Sequence, residues 1–389
     1  MVVNVESAGN TVNSGNVRAG IGRSAAVDLA ERYREFSWRE ARGRSDAHAE
    51  LTARISQDPE FCDLLSGSLP AGNKQQPNLL LAAVRQLDGP HAEQGPRDEA
   101  AYGRWREWTV RHWDEVRAVI MQRATQTNEP ARCATLLPLL ARLPQPLALL
   151  EVGASAGLCL HPDSYRYRYE SASGYASASR WEGQAAGAPR TVGVGAPDGP
   201  VEFVCRTDWA PEELPGRLPE VVWRAGIDLN PLDPVGAPDD LRWLQSLVWP
   251  GEGRRAARLL AAVEAVRAAP RPRIVRGDLI DELPALAAAA PPEATLVVFH
   301  SAVLNYLPPA RREEFARLVR SLLDGRPGGG HWISNEHHSV LPWITASGHP
   351  SGRPEDGRLT LALDGRPVAL TGPHGESLHR LPEAAARMG

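Results

Sequence analysis

Leu147-Ala-Leu-Leu-Glu-Val152, followed at once by Gly153-Ala-Ser-Ala-Gly157, is the stretch on which the fold turns. It is a short, mostly aliphatic run, bounded upstream by Pro144-Gln-Pro146 and downstream by a glycine. That is the signature of a strand buried on both faces of a parallel sheet. The small residues over 153–157 let a backbone bend come close to a ligand, and N–H groups at the start of a following helix would favour polar or anionic groups there. Working outward, strand-like runs recur at Glu220–Ala225, Pro272–Arg276, Ala294–Phe299 and His331–Ser334. Helical spacing over 239–247, 254–268 and 311–323 lies between several of them. Such alternation predicts right-handed crossovers and a doubly wound, mostly parallel α/β sheet, with a ligand crevice outside the carboxyl ends of its strands.

Upstream of Pro144 the periodicity is helical. Ala26, Leu29, Tyr33 and Phe36, then Leu51, Ile55, Leu64 and Leu65, recur at three- and four-residue steps. Residues 79–84 start a helix with Pro77 near its first turn. Residues 102–121 read as one long amphipathic helix, and 133–143 as a shorter one. The predicted organisation is a disordered tail over 1–22, a helical N-terminal domain or lid over 23–145, and a Rossmann-like α/β domain over 146–389. A β-rich insert at about 160–219 is expected to lie over the site. Within it, Tyr165-Arg-Tyr-Arg-Tyr169 alternates strictly, which suits a half-buried strand more readily than a cover for the cleft. Residues 359–370 read as a hairpin through Asp364-Gly365.

Composition narrows the function classes. Over 389 residues the formal net charge is −4, which gives no electrostatic footprint for nucleic acid. Lys74 is the only lysine, and the arginine bias pervades the chain, so it reads as compositional rather than as an anion-binding device. No apolar run is long enough to span a bilayer, and the first residues lack the pattern of a signal peptide. Cys62, Cys133, Cys159 and Cys205 form no CxxC pair, which argues against a zinc ribbon or disulfide framework and fits a reducing cytoplasm. Glu336-His337-His338 lacks the spacing of a metal site, since adjacent strand residues face opposite ways. Trp105, Trp108 and His112 share a helix face and read as packing before an aromatic substrate wall.

Four motifs carry the chemistry. Glu151-Val-Gly-Ala-Ser-Ala-Gly157 resembles the acidic glycine-rich loop of class I S-adenosylmethionine-dependent methyltransferases; Glu151, Gly153 and Gly157 match, and Ser155 stands where a middle glycine is usual. Arg224-Ala-Gly-Ile-Asp228 places an acid past the next strand, where a carboxylate can accept both hydroxyl hydrogens of a ribose. About seventy residues separate Gly157 from it, an excess the insert must absorb. Arg276-Gly-Asp278 offers a third acid, which the resemblance sets against an adenine amine and which simple helix capping explains as well. Val297-Val-Phe-His300-Ser301 places His300 and Ser301 at the edge facing the transferred methyl group. There the histidine would be a general base or a loop-holding residue.

Together with Trp243–Pro250 and Phe299–Leu307, these motifs resemble a bacterial family known only as domain of unknown function 2332, over about Ala25 to Leu381. That resemblance implies a Rossmann-like methyltransferase fold and no established activity; it has asparagine where Cys159 stands here. The leading expectation is a methyltransferase for a small molecule. Glu151, Gly153, Ser155, Gly157, Asp228 and Asp278 would hold S-adenosylmethionine, His300 and Ser301 would serve the acceptor, and no metal would be needed. One rival is a serine hydrolase, since Gly153-Ala-Ser-Ala-Gly157 also fits G-x-S-x-G, with Asp278 and His300 following in triad order. The other is a non-catalytic nucleoside- or partner-binding protein.

Overall fold

The computed structural model describes residues 17–90, 98–171, 191–196, 199, 201–345 and 357–381. At its centre β1 (Leu147–Val152) is buried along its whole length, as its aliphatic run requires. It pairs in parallel with β5 (Val221–Asp228) on one side and β7 (Thr295–Ser301) on the other. β6 (Arg273–Arg276) lies beyond β5 and β8 (Gly330–His337) beyond β7, both again parallel. The spatial order β6-β5-β1-β7-β8 means that the chain builds outward from β1 first one way and then the other. The reversal falls between β1 and β7, where open α/β sheets leave a crevice at the carboxyl edge.

α7 (Cys133–Leu140) precedes β1, and helices connect these strands from β5 onward. α8 (Pro238–Leu247) and α9 (Gly253–Val266) follow β5, α10 (Leu279–Ala289) follows β6, and α11 (Pro309–Leu323) follows β7. On one sheet face, Ala148, Leu150, Val152, Leu296 and Val298 pack with Leu283 and Leu286 of α10 and Phe315 and Val319 of α11. Each such fully buried large side chain is worth roughly 1.5–3 kcal/mol of transfer free energy.

The connection from β1 to β5 differs from expectation. No helix starts after Gly157; the chain makes one tight turn, Leu158–Leu160, and enters β2 (Arg166–Ser171), β3 (Thr191–Val194) and β4 (Glu202–Thr207). The insert begins beside the bend, since the Tyr165 hydroxyl donates to the Leu158 carbonyl. β4 pairs with β11 (Ser377–Arg380), which with β9 (Leu359–Leu363) and β10 (Arg366–Thr371) continues the sheet past β8 in the order β3-β2-β4-β11-β10-β9-β8. Five strands thus separate β4 from β1. Residues 172–190 of the predicted insert lie outside the described residues. The Tyr/Arg alternation explains the docking of β2. Tyr165, Tyr167 and Tyr169 are buried and donate their phenolic hydrogens to the carbonyls of Leu158, Pro162 and Ala134 at 2.7–2.8 Å. Arg166 and Arg168, on the other face, pair with Glu202. In the β9–β10 turn Asp364 and Gly365 both take positive φ (51° and 77°), as a two-residue hairpin requires.

The described chain divides into two compact units, one running to Thr125 with Gln245–Gly253, the other comprising Gln126–Leu244 and the residues from Arg254 on. The first is helical: α1 (Val17–Glu35), α2 (Asp46–Ile55), α3 (Pro59–Ser68), α4 (Pro77–Gln86), α5 (Glu99–Arg111) and α6 (Trp113–Gln122). α1 begins inside the stretch read as a loose tail, while residues 1–16 lie outside the described ones. The single helix expected over 102–121 is two, broken at His112, whose ring stacks on Trp108 at 4.3 Å and bonds the Trp108 carbonyl. Lys74 caps α6: its ammonium donates to the carbonyls of Ile120, Met121 and Arg123 at 2.8–3.0 Å. The four cysteines are free and buried. Among the described residues no helix is long and apolar enough to cross a membrane.

Candidate functional site at the sheet reversal

The bend after β1 is held by its own protein. Gly153, Ser155 and Gly157 have φ of 72°, 50° and 67°, a left-handed geometry that glycine adopts freely and serine does not. The N–H groups of Gly153 and Ala154 donate to the Ile227 carbonyl at 2.8 and 3.0 Å, fastening the bend to the end of β5. A Cβ on Gly153 would run into Val303 Cγ2, and one on Gly157 would lie 2.7 Å from Ile274 Cδ1. The left-handed backbone at both positions, and the close packing of Val303 on Gly153, account for these glycines from within the protein. The helix N-terminus expected to greet an anion is missing, and most of the bend's donors are already engaged.

Asp228 stands where the sequence set it, at the end of β5 beside the bend. Its Oδ2 accepts from the Ser155 N–H at 2.8 Å; Oδ1 accepts from the Asn230 N–H at 2.7 Å and from Gln126 Nε2 at 3.3 Å. A carboxylate offers about four lone-pair positions, so one remains, on Oδ2, instead of the two that a bidentate ribose contact needs. Glu151 is buried, and its Oε2 has no hydrogen-bond partner. Burial above all, then the nearby Cys159 and Asp228, raises its carboxyl well above the usual range, with Arg132 opposing. Asp278, at the end of β6, caps α10 through the Ile280 N–H at 2.9 Å and pairs with Arg311 at 2.7 Å. The Gly277 N–H donates to the Asp228 carbonyl, so the ends of β5 and β6 are adjacent. The structure thus gathers Glu151, Asp228 and Asp278 on neighbouring strand ends.

His300 and Ser301 it separates, because consecutive strand residues face opposite ways. His300 is fully buried. Trp332 Nε1–H donates to its Nε2 at 3.0 Å, which leaves its proton on Nδ1, donated to Glu336 Oε1 at 2.7 Å. With both nitrogens committed, the ring has no lone pair for a substrate, and its geometry is that of a loop-holding residue. The same Glu336 oxygen accepts the N–H groups of Val303 and Leu304 at 2.9 and 3.1 Å, which sets Val303 against Gly153. Ser301 Oγ instead accepts from Asn335 Nδ2 at 3.1 Å. Its carbonyl accepts from Arg132, a buried guanidinium that also bonds the Pro373 carbonyl.

Sequence reading missed the segment Gln126–Arg132. Gln126 reaches Asp228 and the Asn230 carbonyl, Asn128 donates to Ser155 Oγ at 2.7 Å, and Glu129 sits between Arg255 and Arg258 of α9 at 3.3 and 3.2 Å. Its one signal was a polar run, Thr125-Gln-Thr-Asn-Glu129, between two apolar helices. Among the described residues no group of three or more His, Cys, Asp or Glu is arranged to hold a metal ion.

The protein is of the mixed α/β class, built on a large, mostly parallel sheet. The chain belongs to the family described as "Uncharacterized protein conserved in bacteria (DUF2332)", whose model matches residues 30–380. No curated protein matches it.

Proposed function

We propose that this protein is an S-adenosylmethionine-dependent methyltransferase acting on a small molecule. The observation that supports it most is the row of Glu151, Asp228 and Asp278 at the carboxyl ends of β1, β5 and β6, next to the reversal between β1 and β7. The remaining Oδ2 lone pair of Asp228 would accept a ribose hydroxyl, and the unpartnered Glu151 Oε2 is the buried polar atom that a donor group of the ligand would satisfy. When bound, the cofactor supplies an electrophilic methyl group, so the protein's task is alignment. Ser301 and Asn335, on the sheet face that also carries Glu151, would orient the acceptor, while His300 and Glu336 hold the 303–304 turn against the bend.

Titration of the purified chain with S-adenosylhomocysteine by calorimetry tests this. Asp228→Asn keeps the shape and weakens a charge-assisted contact, so micromolar binding should fall at least about tenfold, or about 1.4 kcal/mol. No heat of binding to the unaltered chain at about 1 mM ligand sinks the reading. A second reading, a nucleoside binder without catalysis, is favoured by the Gln126 amide already resting on Asp228; it would show binding with no methyl transfer to any acceptor. The hydrolase reading finds no support, because Ser155 Oγ accepts from Asn128 and His300 is tied to Glu336 and Trp332.

A further inference from the structure

Glu336 has a second oxygen that the loop does not use. Oε1 takes three donors, from His300, Val303 and Leu304, and this fixes the side chain. Oε2 is buried and has no partner. Directly across the β8–β9 ladder, Thr360 pairs with Glu336 in register, and its Oγ1 is likewise buried without a partner. Both residues line one small cavity together with Ser334, Leu341 and Ile344, with room for a water-sized group. Glu336 Oε2 is an acceptor lacking its donor, and the Thr360 hydroxyl on the same cavity can accept a second hydrogen from one incoming group.

The charge of that donor follows from the ion pairs. His300 is the only cation-capable partner of Glu336 among the described residues. Its Nε2 accepts from the Trp332 indole, so the ring is neutral. Among the described residues the Glu336 carboxylate thus has no cationic partner, whereas buried charges are ordinarily paired. His337 and His338 also line the cavity. Leu341 and Ile344 supply an apolar wall suited to a methylene stem.

We propose that this cavity is a binding site for a primary ammonium group. Its nitrogen fills the water-sized space and its three N–H donors meet Glu336 Oε2, Thr360 Oγ1 and the Ser334 hydroxyl, while its first carbon lies toward the open side of the cavity, along Leu341 and Ile344. The cavity shares Glu336 with the turn that supports the bend but opens on the sheet face carrying Trp332, whereas Glu151 lies on the other. A guanidinium or a quaternary ammonium is too large for a cavity of this size, and a quaternary one has no N–H to offer.

The test uses the full chain and methylammonium chloride, with tetramethylammonium chloride at the same ionic strength as the control. Methylammonium should bind with a dissociation constant on the order of 10 mM, near the ceiling for a ligand of two heavy atoms. Tetramethylammonium should not bind. Glu336→Gln keeps a carbonyl for the three donors on Oε1 and removes the charge; it should weaken methylammonium at least tenfold. Thr360→Val, which leaves Glu336 in place, should weaken it severalfold and decides the matter if the glutamine variant does not fold. Equal responses to the two salts, or equal methylammonium affinity in the unaltered chain and Thr360→Val, would overturn the proposal and leave an ordered water as the occupant. Neither arm involves S-adenosylhomocysteine, so failure here leaves the methyltransferase reading untouched.

Discussion

Glu151 illustrates what a single residue costs when its environment is wrong for its charge. Burial raises its folded-state pKa above the unfolded value, so the protonated form is the one that folding favours. Below the unfolded value, near pH 4.5, the residue is protonated in both states and imposes no penalty. As pH climbs toward the raised folded value, the unfolded chain ionises freely and the folded one does not, and stability falls by about 1.4 kcal/mol per unit of elevation. Glu151→Gln removes the titration. Its stability relative to the unaltered chain should rise between pH 5 and pH 8 by more than about 1 kcal/mol, a melting-temperature gain of about 2–4 °C per kcal/mol in a unit of this size. Urea unfolding at the two pH values checks this, and a difference independent of pH would rule the account out.

Elements depend on contacts of similar scale. The last carbonyls of α6 have no partners within the helix, and Lys74 supplies one ammonium to three of them. Lys74→Met should cost about 1–3 kcal/mol in urea unfolding. Lys74→Arg should recover little of it, because a planar fork cannot aim three hydrogens at converging carbonyls as an ammonium does. An arginine variant as stable as the unaltered chain would show that charge alone matters here.

The same scale explains what could be read from sequence. β1 and β7 were legible because a strand buried on both faces must be an apolar run, β5, β6 and β8 because short runs of aliphatic and aromatic residues lie between helical segments, and β2 because Tyr and Arg alternate along it. The break between α5 and α6 was not, since no Gly or Pro marks His112 and the helical spacing continues across it. Nor was the missing helix after Gly157, because small residues after a strand look alike whether a helix or a tight turn follows. At the site, Asp228 was legible from its place after a strand. Gln126 and Asn128 were not, since isolated amides lying 102 and 27 residues from their partners leave no spacing pattern. His300 was found, but its burial and its two partners depend on Trp332 and Glu336 of another strand.

At the scale of the whole molecule, two compact units predict two unfolding transitions rather than one. Asp228 belongs to the larger unit, so S-adenosylhomocysteine at about one hundred times its dissociation constant should stabilise that unit by about 2.7 kcal/mol. Calorimetric scans with and without ligand should show the larger-enthalpy transition moving up while the smaller one stays. A shift confined to the smaller transition would place the ligand elsewhere.

The lone ε-amine of the chain also decides how this protein meets covalent reagents. With Lys74 locked into a carbonyl cage and every thiol inside, acylating and alkylating probes find few side-chain nucleophiles on the folded surface. Uptake of such a label becomes a clock for opening of the fold: amine tagging reports the release of α6, and thiol tagging reports exposure of the interior.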